Sequence, residues 1–125
     1  MKKILIVDDD DRIRLFIHEA LSKLGHELFE APDGEAALEI VRREKPNLIF
    51  LDLAMPKMTG YEVCKRVRAD SDPAISTAKI VIVTAKSYPV DQRMAKEVGC
   101  DLYIVKPFGI KELRDAVTQF LGAPA

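Results

Sequence analysis

Four short apolar runs punctuate the chain, and each ends abruptly in a polar residue. Ile4-Leu5-Ile6-Val7 runs into Asp8-Asp9, Leu48-Ile49-Phe50-Leu51 into Asp52, Ile80-Val81-Ile82-Val83 into Thr84, and Leu102-Tyr103-Ile104-Val105 into Lys106-Pro107. Apolar runs of about four residues without polar alternation predict strands buried on both faces, as in a parallel sheet covered by helices. A fifth run, Glu27 to Ala31, sets Leu28 and Phe29 between charged residues; it is the least apolar of the five and belongs at a sheet edge.

The intervals carry a helical period. Ile13, Phe16, Ile17, Ala20, Leu21 and Leu24 share one helical face after Asp10-Asp11, which can cap the amino end, and Gly25 can close the helix. A second helix starts at Asp33, turns Ala37, Ile40 and Val41 inward, and stops before Pro46, which disfavours helical geometry at Lys45. Thr59, with Glu62 three residues on, forms a capping box for a third helix that buries Val63, Cys64 and Val67. Asp70 to Thr77 holds a proline and several small polar residues and reads as a loop. Pro89 to Val98, with Gly99 after it, forms the next helix, and the last runs from about Ile110 to Leu121 with Leu113, Ala116, Val117 and Phe120 on one face. Gly122 to Ala125 is expected to fray.

Five strand-helix units in alternation give a doubly wound α/β sandwich, with right-handed crossovers limiting the topologies. In such a sheet the carboxyl ends of the strands share one edge, where open α/β folds place their ligands. Asp8, Asp9, Asp52, Thr84 and Lys106 then converge.

Length and charge narrow the possibilities. A chain of 125 residues with 48% hydrophobic content is one ordinary domain, and no linker, repeat or low-complexity tract divides it, so residues 1–125 read as a single unit without an output domain. The 19 basic and 20 acidic residues nearly cancel, so no overall positive field draws the chain to nucleic acid or anionic lipid. No apolar stretch approaches the ~20 residues of a membrane span and no signal-peptide core follows Met1-Lys2-Lys3, which points to the cytoplasm. Cys64 and Cys100 lack metal or redox spacing and read as reduced thiols, Cys64 as buried filler beside Val63 and Val67.

Three carboxylates at one edge repel one another, and a hard cation relieves them. Magnesium prefers oxygen ligands and keeps positions for water and phosphate oxygens. Three carboxylates and Lys106 sum to −2, which one divalent cation cancels. Lys106 can pair with a phosphoryl oxygen, Thr84 can donate to another, and a carboxylate can itself be the nucleophile, forming an aspartyl phosphate.

Val7-Asp8-Asp9, Leu51-Asp52-Leu53-Ala54-Met55-Pro56 with Gly60, Thr84-Ala85 and Lys106-Pro107-Phe108 stand in the order and at the intervals of the receiver domain of two-component response regulators, and the chain resembles that family over essentially its whole length. The resemblance implies a flavodoxin-like sheet of order 2-1-3-4-5 and a set of roles. Asp52 accepts a phosphoryl group from a phosphohistidine on a histidine kinase or phosphotransfer protein. Asp9, Asp52 and the Ala54 carbonyl bind Mg2+ directly, and Asp8 acts through water. Lys106 and Thr84 hold phosphoryl oxygens, the Lys106-Pro107 peptide is cis, and small Ala85 leaves backbone amides accessible. Thr84 and Tyr103 form a switch that alters the face made by the fourth helix, fifth strand and fifth helix, through which a monomer could pair weakly when phosphorylated. Such a domain catalyses only its own phosphotransfer and dephosphorylation. Ala54 has no side-chain amide to hold an attacking water, so a phosphoryl lifetime longer than seconds is expected, with Lys86 able to act either way.

Taken singly, these residues have ordinary explanations. Asp8 and Asp9 could be a solvated strand end, Thr84 a strand-end hydroxyl, Lys106 a surface lysine and Tyr103 an edge aromatic; convergence is what raises them. His18 and His26 read as surface residues, and Lys65, Arg66 and Arg68 as a solvated basic face. Two other readings compete. Asp8 and Asp10 have the spacing of an aspartate-nucleophile phosphatase of the haloacid-dehalogenase type, although Arg12 stands where that family wants Thr or Val. A module that binds partners without phosphorylation is the other.

Overall fold

The computed structural model describes residues 2–122. Five parallel strands, β1 (Lys3–Val7), β2 (Glu27–Ala31), β3 (Leu48–Leu51), β4 (Lys79–Thr84) and β5 (Leu102–Val105), lie in the order 2-1-3-4-5. The four fully apolar runs and the mixed one are the strands expected, and β2, with its exposed charged positions, takes an edge. Helices α1 (Asp11–Leu21), α2 (Gly34–Glu44), α3 (Gly60–Arg68), α4 (Pro89–Glu97) and α5 (Ile110–Leu121) fill the crossovers.

Alternation along each strand divides the core between the two faces. Leu5, Val7, Ile49, Leu51, Ile80 and Ile82 pack with Ala37, Leu38 and Val41 of α2, Val63, Cys64 and Val67 of α3 and Ala95 of α4. Ile4, Ile6, Leu48, Phe50, Val81 and Val83 pack on the other side with Ile17, Ala20 and Leu21 of α1 and Leu113, Ala116 and Val117 of α5. At ~25 cal/mol per Å2 of apolar surface removed from water, each buried Val, Leu, Ile or Phe among them contributes about 1.5–3 kcal/mol. The sheet buried on both faces is thereby fixed in register, which positions everything at its carboxyl edge.

Local signals set the helix ends. The Asp10 carboxylate accepts from the Arg12 amide, Asp33 from Ala36 and Thr59 from Glu62. α1 ends at Leu21, a 3-10 turn carries the chain to Leu24, and Gly25 closes it at φ 84°. Residues 70–77, expected as a loop, contain one turn of helix, Pro73–Ser76, because Asp72 caps it and Pro73 supplies a preset φ at its first position. The fraying expected at the carboxyl terminus concerns residues 123–125, which lie outside the described residues, and Gly122.

Candidate functional site

Asp8 and Asp52 leave the sheet level with one another. Val7 and Leu51 are ladder partners, and the pairing continues one step: the Asp52 amide donates to the Val7 carbonyl at 3.0 Å and the Asp8 amide to Ala31 at 3.3 Å. Leu51 pairs with Ile82, so Thr84 stands one residue beyond the level of Asp52. Beside it, the Lys106 amide donates to the Thr84 carbonyl at 2.7 Å, and the Lys106-Pro107 peptide is cis.

Carboxylate oxygens of Asp8, Asp9 and Asp52 lie within 4.8 Å of one another; Asp8 and Asp52 are buried and Asp9 is exposed. Lys106 Nζ is 2.9 Å from Asp8 Oδ2 and 3.6 Å from Asp52 Oδ2. Asp8 Oδ1 accepts from the Asp10 amide at 2.9 Å, so both Asp8 oxygens are well held. Asp52 is held loosely, with Oδ1 3.4 Å from the Ala54 amide and Oδ2 facing Lys106 at the longer distance. Of the two buried carboxylates, Asp52 is the one with spare lone pairs and the better nucleophile.

Burial pushes the Asp52 carboxyl above its ordinary value, and the Asp8 charge adds to this; Lys106, the Thr84 hydroxyl and the Ala54 amide oppose it without cancelling it. For Lys106, burial works against the charged form, but the hydrogen bond to Asp8 and the charges of Asp52 and Asp8 outweigh burial and raise it. A carboxyl raised by a like charge is what a nearby cation would relieve. The donors are all hard oxygens, two buried and one open to solvent, which fits a magnesium ion that keeps several waters.

The loop after β3 folds tightly onto this site. Gly60 donates to the Leu53 carbonyl at 3.0 Å, and a Cβ at Gly60 would stand 2.1 Å from the Asp52 carbonyl oxygen. Only glycine permits that approach, a reason not visible in the sequence.

Thr84 is fully buried, and its Oγ1 accepts from the Lys86 amide at 3.4 Å. The half-buried Tyr103 donates its hydroxyl to the Lys86 carbonyl at 2.7 Å, and burial pushes that hydroxyl up to about 12. Sequence reasoning missed Tyr61, whose hydroxyl donates to Asp91 Oδ1 at 3.1 Å and ties α3 to the first turn of α4.

Two expectations need correction, and one holds against the hydrolase reading. Arg68 is not part of a solvated face: it donates to the carbonyls of Gly99 (2.9 Å), Ser76 (2.9 Å) and Ala78 (2.6 Å) and to Asp101 Oδ2 (2.9 Å). Phe16 is not in the core. It is 39% exposed, and its aromatic partner is Phe108, delivered by the loop after Pro107, which it meets edge to face at 5.7 Å. Asp10 caps α1 as expected, so the carboxylate that the hydrolase reading needs at the reacting centre has an oxygen engaged at the helix end. Cys64 is buried filler as expected; burial pushes its thiol up to about 11.

A model of the response regulator receiver domain matches residues 4–118. A probable transcriptional regulator, ycf27, of Porphyridium aerugineum is 44% identical over 120 residues, covering 96% of this chain and 48% of that protein. Sporulation initiation phosphotransferase F of Bacillus subtilis is 38% identical over 96% of this chain and 94% of its own length. The chain thus spans about half the length of the ycf27 relatives it matches. Among solved structures, chemotaxis protein CheY4 of Vibrio cholerae superposes with a TM-score of 0.89 at 32% identity, covering 96% of this chain and 98% of that one.

Proposed function

The chain belongs to the response regulator receiver family and is a receiver domain of two-component signal transduction, and from that premise we propose that Asp52 is its phosphoacceptor, working with Mg2+ and Lys106. The observation that carries this is the convergence of Asp8, Asp9, Asp52 and Lys106 at the carboxyl edge, with Asp52 the less engaged of the two buried carboxylates. Asp9, Asp52 and the Ala54 carbonyl would hold the ion, with Asp8 contributing through water. The ion supplies positive charge against the developing phosphoryl oxygens.

An Asp52 oxygen attacks phosphorus, the O–P bond forms as the N–P bond of a partner's phosphohistidine breaks, and the electron pair returns to that nitrogen, so a ring protonated on its other nitrogen leaves as neutral imidazole. Lys106, 3.6 Å from Asp52 and 2.9 Å from Asp8, is placed to move its ammonium onto a transferred oxygen. Thr84 donates to another. The partner is a histidine kinase or phosphotransfer protein, and the apolar hollow of about 450 Å3 lined by Ile13, Phe16, Ala85, Lys106, Pro107 and Phe108 offers it a footing beside the lysine. Thr84 and Tyr103 then carry the change to the α4-β5-α5 face, where a target or a second copy docks. The site acts only on its own phosphoryl group. No helix among the described residues is long and apolar enough to cross a membrane.

Acetyl phosphate with Mg2+ tests the proposal. Label on Asp52, lost in Asp52→Asn, is the expected result, and a map that placed the label on Asp8 would return the hydrolase reading.

A further inference from the structure

We propose that Arg14 is a positioning residue for the cation site, acting by fixing the Asp8-Asp9 peptide; this rests on the magnesium reading above. Arg14 lies on the first turn of α1 with its side chain 14% exposed. Its Nη1 donates to the Asp8 carbonyl at 2.6 Å, its Nη2 pairs with the Asp11 carboxylate, and its Nε lies 3.4 Å from Glu30 Oε1 on β2. A guanidinium is a rigid planar fork, so three partners fix it in place and it holds what it touches. What it touches is the peptide joining two of the three carboxylates.

That peptide matters because of Asp9. Asp8 is buried and gripped at both oxygens by Lys106 and the Asp10 amide. Asp9 is exposed, and among the described residues no hydrogen bond or ion pair engages its carboxylate. Its aim is set by the backbone that precedes it, and Arg14 sets that backbone. Glu30 and Asp11 flank the guanidinium and offset its charge.

The charge and the positioning act with opposite sign, which makes the test decisive. A cation beside a magnesium site weakens binding by repulsion, so if charge were the whole effect, Arg14→Gln would bind Mg2+ more tightly. Positioning predicts the reverse, a loss of about 10-fold, as for other groups that orient metal ligands. Mg2+ is titrated into the wild-type chain, Arg14→Gln, Arg14→Lys and Glu30→Gln by calorimetry, and Asp52 labelling by acetyl phosphate is followed across the same magnesium range. Arg14→Gln and Arg14→Lys should both shift the magnesium half-saturation upward about 10-fold, because a lysine ammonium cannot span three partners, while the plateau labelling rate stays within about 2-fold. Glu30→Gln should shift it in the same direction by less. A merely structural role would lower the melting temperature or the plateau and leave the half-saturation where it was. Affinity equal to or tighter than wild type in Arg14→Gln overturns the inference. Should that variant not fold, unchanged half-saturation in both Arg14→Lys and Glu30→Gln overturns it equally. Absence of magnesium binding by the wild-type chain would overturn the site reading itself and this inference with it.

Discussion

Gly60→Ala is the substitution whose consequence the structure specifies most closely. The new Cβ would stand 2.1 Å from the Asp52 carbonyl oxygen, 2.9 Å from the Asp52 carbonyl carbon and 2.9 Å from Leu53 Cα, where ordinary contact begins near 3.4 Å. All three atoms are backbone, so no rotamer change relieves them, and the chain must separate by more than ~1 Å. Overpacking of that kind costs about 1–3 kcal/mol, and loss of the Gly60 amide bond to Leu53 adds roughly 1 kcal/mol. For a domain of this size a loss of about 3 kcal/mol lowers Tm by roughly 10 °C. The functional loss should exceed the loss of folded fraction, because the displaced backbone is that of the proposed phosphoacceptor and ~1 Å of misplacement costs about 100-fold in rate. Thermal melts and initial rates of acetyl phosphate labelling, at a temperature where the variant is still folded, measure the two effects. Gly109→Ala is the control, since nothing lies within 4 Å of a Cβ there. Wild-type melting and labelling in Gly60→Ala would refute the packing argument.

Four shorter expectations follow. Asp52 has a folded pKa above its ordinary 3.8, so its proton is held more tightly in the folded state and its ionisation costs stability as pH rises through that window; Asp52→Asn should therefore melt higher than wild type at pH 7 without Mg2+, with the gap closing toward pH 4, and an equal or lower melt at pH 7 counts against the reasoning. Mg2+ at ten times its Kd should stabilise the wild-type chain by about 1.4 kcal/mol, most of it absent in Asp9→Asn, and an equal magnesium shift in both proteins would remove Asp9 from the site. Arg68→Ala leaves three backbone carbonyls without their donor and should lower stability by about 3 kcal/mol while magnesium affinity holds, because Arg68 serves the amino ends of β4 and β5; a changed affinity would show that the two ends of the sheet are coupled. Tyr103→Phe deletes a 2.7 Å bond to the Lys86 carbonyl and should raise the inward-ring population of the unphosphorylated protein several-fold, read from aromatic NMR contacts, and an unchanged ring population would mean that bond does not hold the switch.

The parts of this molecule legible in sequence are those where one physical demand dominates. A strand buried on both faces cannot alternate, so four strands show as unbroken apolar runs, and the charged positions of the fifth mark an edge. The site shows because parallel strands deliver their carboxyl ends together, so Asp8, Asp52, Thr84 and Lys106 each terminate a run. Arg68 was illegible because its acceptors are mostly backbone carbonyls, which every residue has, 8 to 31 positions away. Phe16 obeys the period of a buried helical face, yet its partner Phe108 comes from a loop that periodicity does not describe. Tyr61 and Asp91, 30 residues apart, have no common pattern at all. Gly60 was visible as part of a spacing, while its reason, a carbonyl packed where a Cβ would go, exists only in three dimensions.

Lys86 shows how small a force is needed to move the proposed switch. Its amide donates to Thr84 Oγ1 at 3.4 Å and its carbonyl accepts from Tyr103 at 2.7 Å, so both switch residues are held by the one backbone unit. The first bond is near the outer limit of hydrogen bonding, so releasing Thr84 costs a fraction of a kcal/mol, on the order of 0.5. Releasing the Tyr103 hydroxyl costs roughly 1 kcal/mol, offset in part by the apolar surface its ring buries on turning inward. Against these stands a hydrogen bond from Thr84 to a charged phosphoryl oxygen, worth about 1.5–3 kcal/mol. The difference of about 1 kcal/mol is large enough to invert a two-state population and small enough that the unphosphorylated protein still visits the active state. The Tyr61 hydroxyl on Asp91 meanwhile ties the first turn of α4 to α3, and residues 86–88 lie between that anchored turn and the end of β4.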